Sequence, residues 1–440
     1  MFGRAGNQGE RSHALECRDH RIGRRGRYFT VTRGNLAHRE GKNKNQKQEK
    51  VRQEPSFFIY GDFAIVSADM FELKRQEGHR RWGTLTTAHG KIETPFFMPI
   101  ATKGAVKTLS SADMRELRAQ ILLSNTYHLL LRPGLEEMKR LGGLHKLMGW
   151  DGPILTDSGG YQVFSLSGAK LSARGGSAFG GNKTSEDGVE FQSHIDGARL
   201  KLTPELSMEM QSAIGSDIMM QFDDVAAGDS SYERYEEAME RSLRWAKRCK
   251  EGKTGQSKLF GIVQGGTYED LRERSASGLV DIGFDGYAIG GLSVGESRED
   301  AYRIVKNLAP SLPGDKPRYF MGGGMPEEIV YYVHQGVDMF DCVLPTRNAR
   351  HGTLFVWSED PNLISWDENK ADFYSKLHIT NETHAFDSSP VDAFCDCMTC
   401  KTTSRAYLRH LFSVGEMLAL RLATIHNLSF YLRLMLELRK

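Results

Sequence analysis

The chain has 440 residues, a formal net charge of +2, 39% hydrophobic and 26% charged residues, and six cysteines. That length buries a large core and fits one barrel-sized domain plus a smaller module. The composition is ordinary for a soluble globular protein, and no apolar run approaches the roughly 18 to 20 residues that span a bilayer.

In chain order, residues 1–54 carry 14 Lys and Arg against six Asp and Glu. They show no sustained periodicity, so residues 1–55 read as a disordered basic tail or an over-long translation start. Acidic residues interrupt the stretch too often for a transit peptide, and no apolar core marks a secretory signal. A cytoplasmic protein is expected. From about residue 94 short apolar runs recur, each closed by glycine or polar residues: TPFFMPI (94–100), AQILLSNT (119–126), GPILTDSGG (152–160), SDIMMQFDD (216–224), KLFGIVQGG (258–266), GYAIGGL (286–292), PRYFMGGG (317–324) and VDMFDCVLPT (337–346). Continuous apolar runs suit strands covered on both faces, as in parallel sheets. Stretches such as Tyr232–Lys250 suit amphipathic crossover helices. Eight such alternations predict an α/β fold, a (β/α)8 TIM barrel. Ligands bind at the C-terminal ends of barrel strands, so Asp157, Asp223, Gln264, Gly291 and Asp341 are expected to converge on one mouth.

Residues 172–183 (SARGGSAFGGNK) read as a flexible loop, and 358–392 as short mixed segments. From Lys401 the chain is strongly helical through 404–436. It is also basic, with Lys401, Arg405, Arg409, Arg421, Arg433, Arg439 and Lys440 against Glu416 and Glu437. The expected domains are the tail over 1–55, a catalytic barrel over 56–357 with part of 358–392, and a C-terminal zinc-binding helical subdomain over 393–440. Cys17, Cys249 and Cys342 are scattered, whereas Cys395, Cys397 and Cys400 fall within six residues. In a cytosolic chain such a knuckle reads as metal ligands rather than disulfides. With His426 it completes a three-thiolate, one-imidazole tetrahedral set for Zn2+, closed to water and therefore structural.

The segments DSGGYQVFSLS (157–167), GIVQGG (261–266), AIGGLSVGE (288–296), MFDCVLPTRNARHG (339–352) and CDCMTC…HNLSFYLRLM (395–435) closely resemble the tRNA-guanine transglycosylases, over roughly Arg80 to Lys440. The resemblance implies that Asp341 is a nucleophile toward the ribose anomeric carbon, Asp157 the general acid/base, and Asn125 its hydrogen-bonding neighbour. It implies that Asp223, Gln264 and the Gly291 and Leu292 backbone hold the base edge, and that Tyr161 and Met321 sandwich the ring. Arg347 and Arg350 match residues set against the tRNA backbone. The partners it implies are a tRNA anticodon loop, a free deazaguanine base and a second copy of the chain.

Elementary chemistry agrees with these roles. Breaking an N-glycosidic bond develops oxocarbenium character, which one carboxylate can trap while another moves protons between leaving and incoming bases. A base must leave the anticodon stack to reach such a pocket. A lone Asp after a strand also caps the next helix, and Asp224 competes with Asp223 for that job; for Tyr161 and Met321 a place in the core is the lesser reading. Many bacterial members carry Cys where this chain has Val225, while the eukaryotic queuine-using enzymes carry Val there and Gly where this chain has Val294. Val294 should crowd a bulky substituent, so 7-aminomethyl-7-deazaguanine is the expected incoming base. The alternatives are an archaeosine-type transglycosylase, a barrel glycosidase, and a non-catalytic RNA-binding subunit; the presence of both Asp341 and Asp157 disfavours the last.

Overall fold

The computed structural model describes residues 70–166 and 183–440. The expected tail over 1–55 and all but the last residue of the loop over 172–183 lie outside the described residues. β1 (Phe71–Glu77), β2 (Arg80–Thr87) and β3 (Gly90–Glu93) form an antiparallel sheet. Gly78, at φ +58°, supplies the left-handed residue that the tight β1–β2 turn requires.

All eight apolar runs form strands. β4 (Phe96–Met98) is followed by α1 (Ser111–Glu116), and β5 (Leu122–Ser124) by α2 (Thr126–Leu131), α3 (Leu135–Leu141) and α4 (Leu144–Met148). β6 (Ile154–Thr156) leads into α5 (Gly160–Leu166). An excursion of three short antiparallel strands comes next, β7 (Lys183–Ser185), β8 (Gly188–Gln192) and β9 (Arg199–Leu202), and then α6 (Pro204–Ile214). The alternation resumes with β10 (Ile218–Met220), α7 (Tyr232–Gly252), β11 (Lys258–Val263), α8 (Glu269–Ile282), β12 (Gly286–Ile289), α9 (Arg298–Ser311), β13 (Arg318–Phe320), α10 (Pro326–His334), β14 (Met339–Asp341) and α11 (Leu344–Arg350). Hydroxyl caps start several crossovers: Thr203, Ser231 and Ser297 each accept an amide from the first turn of the helix that follows.

The barrel strands pair in parallel in the order β4-β14-β13-β12-β11-β10-β6-β5. A parallel bridge between Ile100 and Leu123 joins the two ends, with Leu123 N donating to Pro99 O at 3.0 Å. The ring is closed. Period-two alternation divides each strand between two layers. Met98, Leu123, Leu155, Met220, Ile262, Ala288, Tyr319 and Met339 fill the lumen, while Phe97, Leu122, Ile154, Met219, Ile289, Phe320 and Phe340 pack against the helices. Phe71, Leu85 and Ile92 of the first sheet share the lumen cluster, so that sheet plugs the N-terminal end of the barrel.

After β14 the chain makes an antiparallel pair, β15 (Thr353–Trp357) with β16 (Tyr374–His378), and then α12 (Met398–Thr402), α13 (Arg405–Ser413) and α14 (Met417–Leu438). The sequence anticipated a helical end. α14 is apolar nearly all round and is buried accordingly, packing on α11, β15 and β4. None of the helices among the described residues is long and apolar enough to cross a membrane.

Candidate active site and metal centre

The polar residues that end the apolar runs lie at the C-terminal ends of the strands. Asn125 follows β5, Asp157 follows β6, Gln264 follows β11, Met321 follows β13, and Asp341 is the last residue of β14. Asn125, Asp157, Tyr161, Asp223, Gly291, Leu292, Met321 and Asp341 line one cavity of about 320 Å3. Tyr161, on the first turn of α5, is 44% exposed at its rim. Gln264 sits one layer behind: its Nε2 donates to Asp223 Oδ2 at 2.7 Å. Arg347 and Arg350 lie outside the cavity on α11, with Arg347 exposed and Arg350 Nη1 donating to Thr346 O at 2.7 Å.

The two buried carboxylates are held differently. Asp341 Oδ1 accepts the Tyr319 hydroxyl at 2.5 Å and the Gly322 amide at 2.8 Å. Burial raises its pKa, while those two donors favour the anion. Asp157 accepts Asn125 Nδ2 at 2.5 Å and the Thr126 amide at 2.8 Å. Burial pushes it up to about 6 against those donors, and the negative charge of Asp341 adds to the rise. Burial thus raises both carboxyl groups, and each is offset by its own set of donors.

Asp223 and its neighbour part company. Asp223 faces the cavity and receives Gln264 and the Ser158 hydroxyl (3.1 Å); burial lifts it to about 6. Asp224 turns outward to Arg234 at 2.7 Å and Arg241 at 2.5 Å. Gly291 has φ +62°, and a Cβ there would stand 2.2 Å from Gln264 Oε1, so a side chain would collide with the amide that orients Asp223. Val225 is buried and Val294 half-buried, both against the cavity.

Sequence reasoning passed over four contributors: Thr126, Ser158, Tyr319 and the Gly322 amide. Tyr319 left a signal. Period two puts residue 319 on the same strand face as Met321. His128 also lines the cavity; burial, with Lys103, His194 and Lys107 nearby, pulls its pKa down to about 4.

Away from the mouth, Cys395, Cys397, Cys400 and His426 bring their ligand atoms within 4.8 Å of one another. His426 lies in the middle of α14, fully buried. Its Nε2 donates to Phe355 O at 2.7 Å, which leaves the Nδ1 lone pair facing Cys400 Sγ at 3.3 Å and Cys397 Sγ at 3.9 Å. A backbone carbonyl fixing the tautomer of a ligating imidazole is the usual outer shell of a metal site. These four residues can hold a metal ion. A second group, His89, His145 and Asp217, lies under the barrel. There the two rings stack at 3.7 Å with planes 17° apart, so their in-plane lone pairs cannot meet at one ion, and His89 Nδ1 instead bonds Asp217 Oδ1 at 2.8 Å.

Fold and site together define a class: a parallel-barrel enzyme with paired buried carboxylates at its mouth and a thiol-and-imidazole metal centre beside the barrel. The family model described as queuine tRNA-ribosyltransferase matches residues 76–440. Queuine tRNA-ribosyltransferases of Acinetobacter baylyi and Nitrosomonas eutropha are 50% and 51% identical over 374 and 371 residues. Each alignment takes in 84% of this chain, and 90% and 95% of the relative. That of Syntrophobacter fumaroxidans is 50% identical over 380 residues, 86% of this chain and 93% of the relative. The chain belongs to the queuine tRNA-ribosyltransferase family, and is thus a pentosyltransferase.

Proposed function

We propose that the protein exchanges guanine at the wobble position of tRNAs with G-U-N anticodons for a 7-deazaguanine base, by double displacement through a covalent enzyme–RNA intermediate, in queuosine biosynthesis. One observation carries the reading: two buried carboxylates in unlike hydrogen-bonding surroundings line a single base-sized cavity. Asp341, its Oδ1 occupied by Tyr319 and Gly322, attacks the anomeric carbon through its other oxygen as guanine leaves. Asp157, lifted to about 6, gives a proton to the departing base and takes one from the incoming base, and a second displacement restores the original configuration. The Asp223–Gln264 pair and the Gly291 and Leu292 amides read the base edge, since a site built to pair donors and acceptors rejects analogues lacking them. Tyr161 and Met321 flank the ring, an aromatic face opposite a polarizable thioether. Arg347 and Arg350 contact the tRNA backbone near the anticodon loop.

The base is 7-aminomethyl-7-deazaguanine in preference to queuine, because Val294 takes room at the cavity wall that a cyclopentenediol needs. The metal is Zn2+, one structural ion per chain, which holds the knuckle to α14 and does no chemistry. Tyr407, Val414, Met417 and Leu418 leave apolar side chains exposed across α13, its exit turn and the start of α14, a patch that supports a homodimer. The cytoplasm is where such a substrate is met.

The test is radiolabelled guanine exchange into unmodified tRNA bearing a G-U-N anticodon, followed by competition between the two deazaguanines. Label entering only that tRNA, with the aminomethyl base displacing it best, is the expected result. Release of free guanine without replacement points to a hydrolase, and RNA binding without exchange to a non-catalytic subunit. A preference for queuine overturns the choice of base.

A further inference from the structure

Behind the cavity floor lies a buried cation that the reading above leaves idle. Arg272, on the first turn of α8, is 1% exposed. Among the described residues its guanidinium has no carboxylate within ion-pair distance, and Glu296 acts on it only through longer-range charge. Nε donates to Gly266 O at 2.8 Å, Nη1 to Val263 O at 2.8 Å and to Gly290 O at 2.7 Å, and Nη2 reaches Gly291 O at 3.5 Å. These carbonyls belong to the exits of β11 and β12, the two loops that carry Gln264 and Gly291.

A trans peptide points its C=O and N–H in opposite directions. Carbonyls of Gly290 and Gly291 gripped from behind therefore turn the next amides, those of Gly291 and Leu292, toward the other side. Both residues line the cavity, and neither amide donates to a protein acceptor among the described residues. A positive charge on the carbonyl oxygen also draws density through the peptide and strengthens its N–H as a donor in a water-poor site.

We propose that Arg272 is a positioning residue for base recognition: from behind the floor it aims and polarises the Gly291 and Leu292 amides at the exocyclic oxygen of the bound base. This rests on the reading of the cavity as a guanine-type base site. Its mark is selective, for the oxygen and not for the ring.

The experiment measures binding of guanine and of 2-aminopurine, which lacks the exocyclic oxygen, to the full-length wild-type protein and to Arg272→Met and Arg272→Lys, with thermal unfolding as a check on folding. Wild type is expected to bind guanine better. In Arg272→Met guanine affinity falls about tenfold, the worth of one well-placed hydrogen bond, while 2-aminopurine affinity stays within about twofold. Arg272→Lys, which keeps the charge but reaches fewer carbonyls, loses part of the preference, and it carries the test if the Met variant does not fold. Equal losses for both ligands, or an undiminished preference for guanine, overturn the proposal. Failure of the wild-type protein to bind guanine contradicts the base-site reading itself.

Discussion

At the scale of single residues the site is governed by burial against hydrogen bonding. Asp341, Asp157 and Asp223 are all removed from water, and what separates them is the set of donors each meets. Asp223 yields the cleanest prediction. Its pKa is lifted to about 6, chiefly by desolvation, from an ordinary value of 3.8. The folded state thus holds the proton more tightly than the unfolded chain, and the associated stability, present at low pH, is lost as pH rises through about 6. Asp223→Asn removes the buried charge, and the Ser158 hydroxyl can turn to accept from the new amide. The variant should be more stable than wild type at pH 8, by roughly 2 to 3 kcal/mol, with the advantage gone near pH 4. Thermal unfolding at several pH values checks this, and a difference that does not change with pH contradicts it.

At the scale of elements, the barrel was legible because its strands are buried on both faces and so appear as unbroken apolar runs. The same logic hid β7–β9. These strands are short and half exposed, although buried Val189 and Phe191 alternating with exposed Glu190 and Gln192 carry a period-two signal in β8. Tyr319 lay inside an apolar run, and its bond to Asp341 arises only because β13 and β14 are neighbours. The Asp223–Asp224 choice was open in one dimension: it turned on Arg234 and Arg241, which reach Asp224 from α7. The knuckle was visible from spacing alone, whereas the carbonyl of Phe355 that orients His426 was not. Cys397→Ala should lose the metal and loosen α12 against α14. Elemental analysis should then show less than about a tenth of the zinc, with unfolding cooler by several degrees. A variant with full zinc content and an unchanged transition would show that the four residues are not the site.

At the scale of the molecule, the C-terminal helix carries His426 of the metal cluster and runs on to the sheet at the bottom of the barrel. Its last carbonyl-bearing turn reaches the bottom sheet, where Trp82 Nε1 and Arg80 Nη2 donate to Leu438 O, and Arg439 Nη1 donates to Pro95 O at 2.9 Å. At the other end of α14, Met417 is 81% exposed. If that patch joins two copies, Met417→Asp should shift the protein from dimer to monomer by light scattering with its unfolding curve intact; an unchanged mass rejects this face as the interface. The most direct measurement of the central claim is made on the whole enzyme with a tRNA anticodon stem-loop containing G-U-N, quenched in denaturant and analysed by mass spectrometry. The account predicts an RNA adduct on the peptide that carries Asp341, absent in a folded Asp341→Asn variant. An adduct on Asp157, or normal exchange by Asp341→Asn, would contradict it.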